Sequence, residues 1–210
     1  MAVAGDGPVT IRLLLADDQA LVRQALSTLL DLEDDFAVVA QVGRGDEVVD
    51  AAREHEPDVA LLDIEMPGLD GLAAAAVLAE QVPDCRVVVL TTFGRAGYLR
   101  RAMEAGAVGF VVKDAPAEAL ADAIRRVMRG ERVVDPALAV ATLAAGESPL
   151  TARERDVLIA ARSGASVAEI AGSLYLSPGT VRNYLSGAIA KTGARNRLEA
   201  LRIADDRGWL

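Results

Sequence analysis

Five short apolar runs recur through the first half of the chain, and each is separated from the next by a stretch with room for a helix. They are IRLLLA (11–16), FAVVAQV (36–42), VALLD (59–63), RVVVLTT (86–92) and GFVVK (109–113). Near-continuous apolarity, rather than strict alternation, is what a strand covered on both faces requires. The intervening stretches repeat at three and four residues. Leu21, Val22, Ala25, Leu26, Leu29 and Leu30 do so in the first, and Leu120, Ala123, Ile124 and Val127 in the last. Such βαβ repetition specifies a parallel sheet with helices on both faces.

In such a sheet every crossover leaves from a strand's carboxyl end, so those ends share one rim, and ligands bind there. The first strand ends at Asp17-Asp18, the third at Asp63, the fourth at Thr91-Thr92 and the fifth at Lys113. The second ends in Gln41-Val42-Gly43, with no charge. A strand order of 2-1-3-4-5 brings the three carboxylates together, with Thr91 and Lys113 opposite. Crowded carboxylates repel one another, and a divalent cation relieves the repulsion. Magnesium favours a few carboxylates, a carbonyl and water, completed by phosphate oxygen. Lys113 and Thr91 offer a charge and a hydroxyl to other phosphoryl oxygens, which leaves Asp63 as a carboxylate nucleophile. Pro67, Gly68 and Gly71 in MPGLDG let the backbone turn away behind it. The plainer alternative is that each Asp caps a helix and Lys113 is a salt-bridge partner.

After Arg129-Gly130 the strand pattern stops. Residues 131–146 read as a linker with one short helix, capped by Asp135 with Pro136 at its first position. From residue 151 onward the start signals are helical. TARE (151–154) and SVAE (166–169) are capping boxes, and Ser177-Pro178 is an N-cap followed by proline. Helices therefore start near 152, 167, 178 and 197.

Charge divides the chain in the same place. Residues 1–130 hold 12 Lys and Arg against 22 Asp and Glu, whereas residues 131–210 hold 10 against 9. In the second part Arg182, Lys191, Arg195 and Arg197 run without an intervening acid. The longest uncharged stretch has twelve residues, Ile170 to Val181, short of the roughly 18–20 that a spanning helix needs, so no membrane insertion is expected. The first residues carry no export pattern, and a cytoplasmic location is expected. A lone Cys85 and a lone His55 exclude a disulfide within the chain and a Cys- or His-based metal cluster.

With these features in view, the acidic pair after the first strand, LLDIEMPGLDG, LTT and FVVKDAP resemble the receiver domain of two-component response regulators, over about residues 10–130. The resemblance implies a flavodoxin-like, doubly wound five-stranded sheet with Asp63 as phosphoacceptor. It implies Mg2+ on Asp18, Asp63 and the Glu65 backbone carbonyl, with Asp17 helping through water, and Thr91 and Phe110 as a switch pair. Lys113-Asp114 departs from the commoner Lys-Pro of that family. Residues 150–204 resemble the LuxR-type helix-turn-helix domain of NarL/FixJ regulators, through LTARERDVL, VAEIAGSLYLSPGTVRNYL and KTGARNRLEA. In the helix from Pro178, Val181, Leu185, Ala188 and Ile189 form the inward stripe, leaving Arg182, Asn183 and Ser186 as base-reading candidates. Thr180, Tyr184 and Lys191 are candidates for phosphates. The final run looks especially like the DesR branch, which implies control of lipid desaturase genes.

The expected protein is an α/β receiver (8–130), a linker (131–146) and an all-α four-helix DNA-binding domain (147–210). Its partners would be a sensor histidine kinase, double-stranded promoter DNA and a second copy, paired on phosphorylation through helices 19–31 and 116–129 by family analogy. Beyond self-phosphorylation and slow dephosphorylation it would not be an enzyme. Two other readings stay open: an aspartate phosphatase using Asp63-Ile64-Glu65, and a regulator whose pocket is vestigial.

Overall fold

The computed structural model describes residues 10–92, 96–144, 146 and 148–210. The expected domain starts at 8 and 147 lie outside them. Strands β1 (Ile11–Ala16), β2 (Phe36–Val42), β3 (Val59–Asp63), β4 (Arg86–Thr91) and β5 (Gly109–Val112) alternate with helices α1 (Ala20–Leu30), α2 (Val48–His55), α3 (Gly71–Gln81), α4 (Ala96–Glu104) and α5 (Ala117–Met128). All the strand pairs are parallel, in the order β2-β1-β3-β4-β5. A sixth strand corrects the expected five. In β6 (Val133–Val134), Val133 pairs with Gly109 and Val134 with Phe110, within the stretch expected to be linker.

Alternate residues of each strand face opposite sides. Leu13, Leu15, Leu61, Val88 and Leu90 pack with Leu30 of α1 and with Leu120, Ile124 and Val127 of α5. Leu14, Ala60, Leu62, Val87 and Val89, which lie between them, are equally buried. Burial on both faces explains the unbroken apolar runs. The stripe on α1 is wider than its contact, however. Leu21 is 83% exposed and Leu29 44%, with Leu32 just beyond at 75%.

The chain divides into two compact units: the first ends at Pro136, and the second runs from Ala137 and also takes in α4 up to Arg100. The second contains α6 (Pro136–Ala144) from its second residue onward, α7 (Ala152–Ala160), α8 (Val167–Ser173), α9 (Pro178–Thr192) and α10 (Arg197–Asp206). Thr151 and Ser166 complete full capping boxes with Glu154 and Glu169, and Ser177 caps α9 ahead of Pro178. Val157, Leu158, Ile170, Val181, Leu185 and Ala188 form its core, so α9 is packed by α7, α8 and α10. No helix among the described residues is long and apolar enough to cross a membrane.

Candidate functional site

Strand register decides which side chains share the carboxyl rim. Ala16 pairs with Leu62, Asp63 with Leu90 and Thr91 with Val112. Asp17, Asp63, Thr91 and Lys113 therefore stand at nearly one level on four strands. Asp17, Asp63 and Thr91 are buried, while Asp18 is exposed. One carboxylate oxygen from each of Asp17, Asp18 and Asp63 can lie within 4.8 Å of the others. Three hard oxygen donors that close together suit a hard divalent cation.

Lys113 joins the group from β5. Its Nζ donates to Asp17 Oδ2 at 2.7 Å and lies 3.0 Å from Asp63 Oδ2. The Ile64 N–H donates to Asp63 Oδ1 at 2.8 Å, and the Gln19 N–H to Asp17 Oδ1 at 2.9 Å. Each buried carboxylate is thus held from both ends. Burial pushes the Asp63 carboxyl above its ordinary value; Lys113 opposes that rise, the Asp17 charge adds to it, and the Ile64 amide opposes it. Burial alone would lower the Lys113 ammonium, but its bonds to Asp17 and Asp63 outweigh burial and raise it. The Lys113 N–H also donates to the Thr91 carbonyl at 2.7 Å, fixing the two strand ends together. Phe110 is fully buried in β5, paired with Val89 on one side and Val134 on the other. The Glu65 side chain is exposed in the loop after Asp63.

That loop approaches Asp63 closely because it lacks side chains where it must. The Gly71 N–H donates to the Ile64 carbonyl at 2.9 Å, and a Cβ at Gly71 would lie 1.8 Å from the Asp63 carbonyl oxygen. Asp70 caps α3 by accepting from the Ala73 N–H at 2.8 Å. One rim residue, Arg23, has no counterpart among the expected ones. The Arg23 guanidinium donates to the Asp17 backbone carbonyl, and a Cβ at Gly43 would come within 3.3 Å of it. A base in the first turn after an acidic pair was the available signal.

In the helical unit Arg182, Asn183 and Ser186 are exposed on α9. Thr180 is half-buried and bonded to the Ser177 hydroxyl at 2.8 Å, and Tyr184 packs partly into the core. The four-cation run is mostly committed elsewhere. Arg195 grips Glu199, whose carboxyl it holds down at about 2, and Arg197 donates to the Ala165 carbonyl. Lys191, expected at a phosphate, instead bonds the buried Glu154 at 2.7 Å. Among the described residues, Arg182 alone of the four has no partner.

Glu154 also accepts from the Thr151 N–H and hydroxyl, at 2.7 and 2.9 Å. Burial alone would raise its carboxyl; Lys191 and Thr151 outweigh burial and hold it below 4.5. Its contribution to stability is therefore complete above pH 4.5 and is lost as pH falls through the lowered folded value. Lys191→Met leaves a buried charge without its counter-ion and should cost roughly 1–2 kcal/mol, discounted from a fully buried pair because Lys191 meets solvent. Trp209 fluorescence in urea melts at pH 7 and pH 4 would show the deficit, with a smaller gap between wild type and variant at the lower pH.

The comparisons agree on both units. The family described as response regulator receiver domain matches residues 13–125, and that described as bacterial regulatory proteins, luxR family, matches residues 148–204. The uncharacterized transcriptional regulatory protein YvfU of Bacillus subtilis is 46% identical over 95% of this chain and all of its own. The transcriptional regulatory protein DesR of the same organism is 43% identical over 95% of this chain and 98% of its own. Among solved structures, the response regulator ChrA of a heme-sensing two-component system is 34% identical, with a TM-score of 0.58 over 96% of this chain and all of that one. The RcsB–DNA complex, at 22% identity and a TM-score of 0.68 over 94% of this chain and 98% of that one, shares the fold.

Proposed function

The chain belongs to the two-component response regulators, with a receiver domain followed by a LuxR-type domain, and from that membership we propose a transcription factor switched by phosphorylation of Asp63. A sensor histidine kinase supplies the phosphoryl group. One Asp63 carboxylate oxygen bonds to phosphorus as the P–N bond of the kinase's phosphohistidine breaks and the imidazole leaves. Asp18, Asp63 and the Glu65 backbone carbonyl would hold Mg2+, with Asp17 helping through water, and the bound ion would supply positive charge against the incoming group. Lys113 pairs with a phosphoryl oxygen and Thr91 is drawn to another, while Phe110 packs as the second member of the switch. The observation that carries this reading is the buried ammonium of Lys113 bridging Asp17 and Asp63 on adjacent strands. A purely structural salt bridge needs one carboxylate, whereas a phosphoryl cradle needs the pair and the cation.

Arg182, Asn183 and Ser186 of α9 read base edges in the major groove, and Thr180 and Tyr184 steady the helix at phosphates. Lys191 backs α9 through Glu154. One such unit binds weakly, and two held a helical turn apart bind far better, so dimerisation is the switch output. The exposed Leu21, Leu29 and Leu32 on and beside α1 support the α1 and α5 surface as the dimer contact. The protein acts in the cytoplasm, and its receiver catalyses only its own phosphorylation and slow dephosphorylation.

Sizing chromatography with and without beryllofluoride and Mg2+, followed by duplex binding on the same samples, tests the reading. A shift from monomer to dimer with a gain in affinity is expected. Arg182→Ala should weaken binding about tenfold and relax the sequence preference at the base it reads. An unchanged size and affinity with the phosphoryl mimic would refute the switch.

A further inference from the structure

The turn between α8 and α9 holds a residue that neither the backbone nor the core requires. The Leu176 N–H donates to the Ala171 carbonyl at 2.9 Å, and the Tyr175 N–H to the Gly172 carbonyl at 3.4 Å. These crossed bonds close α8 in the Schellman pattern, whose residue beyond the cap takes the left-handed conformation that glycine adopts freely. Tyr175 occupies that position at φ 55°. A bulky side chain there is an outlier and strains the backbone.

Burial returns nothing for the strain. Tyr175 is 96% exposed, more than any other large apolar side chain among the described residues. Its neighbours Leu174 and Leu176 pack partly into the core, so the turn is anchored without it. It lies two residues before Ser177, the N-cap of α9, at the same end of that helix as Thr180 and Arg182. Strain retained without a packing return points to a role outside the fold.

Resting on the DNA-binding reading of α9, we propose that the Tyr175 hydroxyl donates to a phosphate oxygen of the DNA backbone beside the bases that α9 reads. A phenol suits the task, being rigid past two torsions and able to donate one hydrogen bond to an anion. Being neutral, it displaces no counter-ion.

The test uses the full chain with a phosphoryl donor and a labelled duplex that the wild type has selected from a random pool. Tyr175→Gly should relieve the turn, raising the melting midpoint reported by Trp209, the one tryptophan, by about 5 °C. The same variant should bind the duplex about tenfold more weakly. Tyr175→Phe should leave the melt unchanged, lose most of that affinity, and keep the wild-type slope of affinity against salt. Wild-type affinity in Tyr175→Gly, or in Tyr175→Phe, overturns the proposal. Arg182→Ala runs alongside: its loss of binding beside an unaffected Tyr175→Gly sinks the tyrosine alone. A wild type with no preference for its selected duplex sinks the DNA reading and this contact with it.

Discussion

Asp63→Ala should take up no phosphoryl group from acetyl phosphate and Mg2+, where the wild type gains one per chain by intact-protein mass spectrometry. Three features make the effect this complete. Asp63 ends the fully buried β3, its Oδ1 is held by the Ile64 amide, and its Oδ2 faces Lys113. Asp17 is committed to Lys113 and the Gln19 amide. Asp18, though exposed, sits on a different strand's loop and does not inherit that geometry. The downstream loss should match. If the donor-driven gain in duplex affinity comes from pairing two binding units, it is on the order of 10²-fold or more, and the variant should show none of it. Equal binding by variant and wild type, with and without donor, would leave a regulator that does not depend on phosphorylation.

The second large effect is on stability, and it comes from a methyl group. In Gly71→Ala the added carbon would meet the Asp63 carbonyl oxygen at 1.8 Å, its carbonyl carbon at 2.8 Å and the Ile64 Cα at 3.1 Å. All three are backbone atoms of β3 and the turn that follows, so no rotamer change relieves the clash. The loop must move away from the sheet, at a cost of about 3 kcal/mol or more to the receiver. Urea melts followed by far-ultraviolet circular dichroism would measure it, and phosphoryl uptake should fall as well because the displaced atoms carry Asp63. Gly172→Ala is the contrasting case. Nothing lies within 4 Å of a Cβ there, the residue sits in α8, and the swap should stabilise the helical unit by roughly 0.5–1 kcal/mol.

What the chain made legible follows from local physics. Strands buried on both faces show themselves as apolar runs, and the observed β1, β2 and β3 coincide with IRLLLA, FAVVAQV and VALLD. Capping boxes are equally local, and α7, α8 and α9 start where Thr151, Ser166 and Ser177 place them. The rim cluster was legible because parallel connectivity brings the strand ends to one rim, and register then sets which of those residues stand level. The misses are non-local. Two residues of β6 are too few to show a period, and only the open edge of β5 gives them a partner. The periodic stripe of α1 says which residues share a face but not how far the sheet reaches across it, so Leu21 is left in solvent. Lys191 looked like a free cation because its counter-ion lies 37 positions earlier. Arg23 escaped notice because its partner is a backbone carbonyl, which no residue name reveals.

Glu154 ties two events that a helix count would treat as separate. A single carboxylate oxygen accepts the Thr151 amide and hydroxyl that begin α7 and also the ammonium near the end of α9, while its other oxygen lies where a side chain on Gly187 would stand. Fraying of the first turn of α7 therefore loosens the far end of α9, and loss of the ammonium frays that turn. Amide exchange at these two places should proceed as one opening, and the exposed face of α9 is only as rigid as the cap on its neighbour.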